Sequence, residues 1–125
     1  MSTRCLIGIT ENIESNKMTC VYCQHDGYPD GVGVDLHRHY DTEEKIRKMM
    51  EGGDMSALRS TPEKCDYYNE EDSAASPCMI KLPLGKTDIE YCYAFDLSTS
   101  IWWVWTVYKQ SLEKLSDVLK ELKVL

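Results

Sequence analysis

A chain of 125 residues, 42% of them hydrophobic, can bury one substantial core and is read as one domain over 1–125. Its 14 Lys and Arg against 21 Asp and Glu give a net charge of −7 and a pI near 4.9, which argues against direct nucleic-acid binding, because gripping a phosphate backbone takes clustered cations. The same acidity suits a basic protein surface, a nucleic-acid channel included, and also suits plain solubility.

Cys5 to Ile9 is the first apolar stretch and Ile101 to Tyr108 the longest. The first is too short for a secretory signal and the second falls far below the roughly 20 residues of a spanning helix, so a cytoplasmic protein without membrane contact is expected. The 6 cysteines then read as reduced, buried thiols.

In chain order, Arg4 to Ile9 and Met18 to Gln24 are apolar enough for strands, and Asn12, Ser15 and Asn16 between them suit a hairpin turn. His25 to Gly33 follows as a loop of three glycines, one proline, one tyrosine, two carboxylates and a histidine. Pro29 fixes one φ and biases Tyr28 to an extended conformation, while the glycines allow positive φ and close approach, so the loop has a specified shape. Val34 to Tyr40 can form about two helical turns. Asp41 with Glu44 reads as a capping box for a second helix, with an apolar stripe of Ile46, Met49 and Met50 and a stop at Gly52-Gly53. Asp54 is expected to cap a short turn through Met55 and Leu58.

Arg59 to Pro77 reads as a surface excursion with one short strand at Cys65 to Tyr68, and Cys78 to Leu82 as a further strand. In Tyr91 to Asp96, period-two spacing puts Tyr91, Tyr93 and Phe95 on one face. Ile101 to Tyr108 is apolar on both faces, as in an interior strand covered twice or one whose outer face takes a partner. A last helix is predicted with Ser111 as its cap and Leu112, Leu115, Leu119 and Leu122 as its stripe. The predicted fold is α+β: an antiparallel sheet of the N-terminal hairpin and the C-terminal aromatic strands, packed with about three helices.

His25-Asp26-Gly27-Tyr28-Pro29 resembles in letters the name of the HD-GYP phosphodiesterases, but adjacent side chains of an extended segment point opposite ways and cannot grip one ion together. Cys20 and Cys23 have zinc-ligand spacing near His25, His37 and His39. On one strand they face opposite sides, and no second pair completes a knuckle, so no metal and no cofactor are expected. Catalytic residues are assigned to none of these groups, a small hydrolase using His25 and Asp26 being the weakest alternative. A nucleotide could instead use the Gly31 and Gly33 amides, stacking on Tyr28, contacts from His25 and Asp26, and the charge of Arg38. Tyr67, Tyr68 and Trp102, with the acidic run Glu70, Glu71 and Asp72, are the candidates for a protein interface.

Met1 to Gly8, Val21 to Gly33, Tyr40 with Thr42 to Ile46, and Gly53 to Leu58 together resemble a family of small proteins encoded by bacteriophages, prophages and related mobile elements. The loop departs from the family's pattern at His25, where tryptophan is frequent, and Tyr68 to Asp72 replaces a basic segment. The resemblance implies an accessory protein of the host-cell cytoplasm that binds a host protein stoichiometrically and inhibits a host defence or enzyme. Sequestration of a nucleotide signal is the alternative.

Overall fold

The computed structural model describes residues 3–68, 78–82 and 87–124, and within them the chain is α+β. β1 (Cys5–Thr10) and β2 (Lys17–Cys23) form the expected antiparallel hairpin, in register from Cys5 opposite Cys23 to Ile9 opposite Thr19. Asn12 caps the connecting 3-10 turn, Ile13–Ser15, by accepting the Glu14 N–H at 2.8 Å, and Asn16 ends it in the left-handed region at φ 60°. Gly8 leaves no room for a side chain against the partner strand, since a Cβ there would collide with the Thr19 carbonyl.

Six further strands complete the sheet: β3 (Met55–Ala57), β4 (Asp66–Tyr67), β5 (Cys78–Lys81), β6 (Tyr91–Asp96), β7 (Ile101–Thr106) and β8 (Ser111–Lys114). Their order is β4-β3-β2-β1-β6-β7-β8, and β5 pairs with the first half of β2. Most pairs are antiparallel, whereas β1 runs parallel to β6 and β2 parallel to β3.

The period-two reading of β6 holds, with Tyr93 and Phe95 buried and Tyr91 packed beside them. With Ile7, Val21, Trp102 and Val104 they form the face on which the helices lie. α1 (Val34–His39) contributes Leu36, α2 (Glu43–Glu51) contributes Ile46, Met49 and Met50, and α3 (Leu115–Glu121) contributes Leu115 and Leu119. Burying one such side chain is worth about 1.5–3 kcal/mol. On the opposite face Met18, Cys20, Cys92 and Ala94 are buried under Ile13, Ile80, Leu82, Ile89 and Trp105, which come from turns and strands.

Four local expectations are corrected. Thr42, not Asp41, caps α2, accepting the Lys45 N–H at 3.3 Å, while Asp41 pairs with the Lys45 ammonium at 3.0 Å. Met55–Ala57 is strand rather than helical turn, and Asp54 accepts the Tyr22 N–H at 2.9 Å, which ties the start of β3 to β2. Ser111 begins β8 instead of capping a helix: Leu112 lies opposite Trp105 on the edge of β7, and ladder hydrogen bonds outweigh one more helical turn. Leu122, expected on the apolar stripe, lies beyond the end of α3 and is 46% exposed. No helix among the described residues is long and apolar enough to cross a membrane.

Candidate functional site

Cys5, Cys23, Met55, Tyr67, Tyr91, Thr106 and Ser111 are level with one another in the strand registers. The loop after β2 and the turn between β7 and β8 therefore emerge at the same end of the sheet, whereas β4 runs inward from that end, so that Tyr68, donating its N–H to the Asp54 carbonyl at 3.2 Å, lies back along the sheet edge beside Tyr22. This loop end carries Tyr28 and Tyr108, which are 38% and 71% exposed; Tyr68, on the sheet edge, is 50% exposed.

The loop is fixed along its length. Gln24 and His25 donate their N–H groups to Met55 and Ser56 carbonyls at 3.1 and 2.9 Å, extending the pairing with β3. Asp26 then turns the chain at φ 58°, a left-handed conformation that Asp tolerates better than most residues. The loop glycines meet a different need, which is close approach. A Cβ on Gly27 would lie 2.7 Å from the Thr3 carbonyl oxygen and 2.9 Å from Cys5 Cβ, and one on Gly31 would lie 2.5 Å from the Asp26 oxygen. Pro29 opens a single π turn, Pro29–Gly33, that runs directly into α1.

Beside the loop is a cleft of about 280 Å³ lined by His25, Asp26, Tyr28, Asp30, Asp35 and Arg59, with Val32, Val34, Ala57 and Leu58 among its apolar walls. The Tyr28 hydroxyl donates to Asp26 Oδ1 at 3.1 Å, and that carboxylate pushes the phenol up from its ordinary pKa. Burial pushes the Asp35 carboxyl up, against the opposing pull of His39, Arg38 and Arg59. The Arg59 guanidinium is engaged by Asp66 at 2.9 Å, and this partner raises its pKa further. Three carboxylates thus share the cleft with one already paired guanidinium.

His25, Asp26, Tyr28 and Gly31 are brought together as the sequence suggests, but Gly33 and Arg38 are not. Gly33 is buried, because Leu115 Cδ1 would stand 3.1 Å from a Cβ at that position and Tyr93 3.5 Å. Arg38 projects from the exposed side of α1 and does not line the cleft. The Gly31 and Val32 amides donate to the Tyr28 and Asp26 carbonyls at 2.9 and 2.8 Å, so they are not aimed outward at a phosphate.

Two aromatic candidates are corrected in the same way. Trp102 is 7% exposed; its indole N–H donates to the Tyr40 carbonyl at 2.8 Å and its ring meets Phe95 edge-on at 5.3 Å. Tyr67 is half-buried with its hydroxyl 2.9 Å from the Met49 carbonyl and 3.0 Å from that of Pro62, and its ring fills the space a Gly52 side chain would need. Both hold core elements together. Glu70, Glu71 and Asp72 lie outside the described residues.

Asp35, Arg59 and Asp66 belong to the site without having been singled out. The available signal was position: Arg59 directly follows the Gly53 to Leu58 element, which β3 pairing carries to the loop. Cys20 and Cys23 face opposite sides of the sheet, Cys20 beside Met18 and Cys92, Cys23 beside Cys5. Among the described residues no group of three or more His, Cys, Asp or Glu is placed to hold a metal ion. A wider groove of about 760 Å³ lies at the opposite end, between α2 and the ends of β1 and β2, and contains none of the loop residues. Comparison with protein-family models, curated proteins and solved structures finds no match.

Proposed function

We propose that the protein acts by stoichiometric binding of a protein partner at the loop end of its sheet, and that as a mobile-element accessory protein it thereby inhibits a host defence or host enzyme. The observation that carries this reading is the exposed Tyr28 set among Asp26, Asp30 and Asp35 on a hydrogen-bonded loop, with a second exposed tyrosine, Tyr108, at the same end of the sheet. Tyrosine offers a large contact area for the loss of two side-chain torsions, and carboxylates around it steer a basic surface into register. Pre-fixing the loop spares the ordering cost that a flexible one would incur on binding.

The cleft supports a protein partner over a nucleotide. At about 280 Å³ it is smaller than the roughly 300–1,000 Å³ usual for small-molecule sites, and its carboxylates repel phosphate while suiting a Lys or Arg side chain.

The test is quantitative capture from bacterial extract by the parent and by a Tyr28→Ala/Tyr108→Ala variant, followed by reconstitution with the purified partner. A one-to-one complex that the double variant loses, and that weakens with salt, is expected. Equal capture by both proteins, or saturable stabilisation by a nucleotide with no protein bound, contradicts the proposal.

A further inference from the structure

Cys5 opens β1 and Cys23 closes β2, and the antiparallel register sets them directly opposite each other. Both are free thiols, fully buried on the helix-bearing face, and the Cys23 thiol donates to the His25 carbonyl oxygen at 3.6 Å. Directly opposed residues of an antiparallel pair have Cα atoms about 4.5–5.5 Å apart. That lies inside the span of about 4.4–6.8 Å that a disulfide bridges.

We propose that Cys5 and Cys23 are a redox pair that a peroxide converts into a cross-strand disulfide beneath the loop. The Cys23 thiolate attacks one peroxide oxygen, the O–O bond breaks, and the departing hydroxide takes up the proton that left the Cys23 thiol, giving Cys23 sulfenic acid and one water. The Cys5 sulfur then attacks the Cys23 sulfur; the S–S bond forms, the S–O bond breaks, and hydroxide leaves with the Cys5 proton as a second water. Two electrons pass from the two thiols to one hydrogen peroxide, giving one disulfide and two waters.

The surroundings divide the roles. The facing Cys5 side chain lowers the Cys23 thiol against the opposing effect of burial, with help from the backbone of His25 and Leu58. Burial raises the Cys5 thiol, as it raises Cys92, which is pushed up to about 12. Cys23 is therefore the attacking sulfur and Cys5 the resolving one, while Cys92 stays a thiol. His25 and Leu58 are also walls of the cleft, so peroxide approaches Cys23 from the cleft side and reaches it through the transient local openings that native structures undergo. The bridge would join the two strand ends that position Gly27, which donates its N–H to Thr3 at 2.9 Å and lies against Cys5. None of this depends on what the loop end binds.

The test is to treat the folded, reduced full chain with hydrogen peroxide, quench, and map peptides without reduction. A Cys5–Cys23 linkage is expected, with the thiol titre of the denatured protein falling by two of 6. Cys5→Ser should trap Cys23 as a dimedone-reactive sulfenic acid, and Cys23→Ser should leave Cys5 unmodified. The proposal is overturned if all thiols of the folded parent persist at peroxide doses that oxidise the denatured chain. It is also overturned if the linkage formed joins Cys20 to Cys78, the register partners on β2 and β5, or if Cys5→Ser yields no adduct at Cys23. The mapping of the parent decides by itself should either variant fail to fold.

Discussion

The hydroxyl of Tyr93, in the middle of β6, donates to the carbonyl oxygen of Gly27 at 2.6 Å, so the centre of the sheet holds the middle of the loop. Tyr93 is fully buried, and burial is the main reason its phenol stays protonated well above the ordinary range. Tyr93→Phe keeps the ring and removes the donor, leaving a buried carbonyl unpaired. A loss of about 1–3 kcal/mol is expected, and hydrogen exchange should accelerate across 26–33 more than across β7. Denaturant melts and exchange mass spectrometry measure the two effects.

The loop glycines should differ in tolerance according to what stands above them. Gly27→Val drives a branched side chain into backbone at Thr3 and Arg4, and overpacking of this kind costs about 1–3 kcal/mol. Gly33→Ala meets first the far end of Leu115, which can shift, so its effect should be smaller. Thermal melts of the two variants beside the parent check the order; equal melting temperatures would show that close approach is not why Gly27 is glycine.

Much of this was legible in the sequence because the strongest signals were local. The hairpin turn residues, the Ile46-Met49-Met50 stripe and the alternation of Tyr91, Tyr93 and Phe95 each specify an element without help from the rest of the chain. Ser111–Lys114 is ambiguous in sequence because four residues satisfy helical spacing and strand alternation equally, and the free edge of β7 decides between them. The loop's shape was legible but its cause was not: the left-handed residue is Asp26, and the glycines answer to neighbours such as Thr3 and Cys5 that are distant in sequence. Asp35, Arg59 and Asp66 enter the site through tertiary packing of α1, β3 and β4, which no local pattern announces. Trp102 illustrates the converse, an aromatic whose core role follows from the placement of Tyr40.

Asp96 should set part of the acid limb of stability. Its buried carboxylate accepts the Ile13 N–H at 3.1 Å, the Ser98 N–H at 2.8 Å and the Ser98 hydroxyl at 2.6 Å. Burial pushes its pKa up, but these bonds outweigh it and hold the group below the ordinary carboxylate range. A depressed folded pKa contributes stability above the unfolded value that is lost as pH falls through the folded one. Asp96→Asn should cost about 1–3 kcal/mol at neutral pH and flatten the decline below about pH 4. Urea melts across pH measure both.

Asp35 should act with the opposite sign. Its folded pKa is raised, chiefly by burial, so its contribution is present below the unfolded value and lost as pH rises through the folded one. Asp35→Asn is expected to stabilise the protein at neutral pH, with the gain vanishing in acid. A variant no more stable than the parent at neutral pH would show that Arg59 and its neighbours already compensate this carboxylate.

The most direct measurement is a hydrogen-exchange footprint of the complex with the captured partner, read against the free protein. Protection confined to 25–33 and the turn containing Tyr108 is the predicted result, because these segments share the loop end. Protection concentrated instead on α2 and the groove at the far end, with the loop unchanged, would contradict the account.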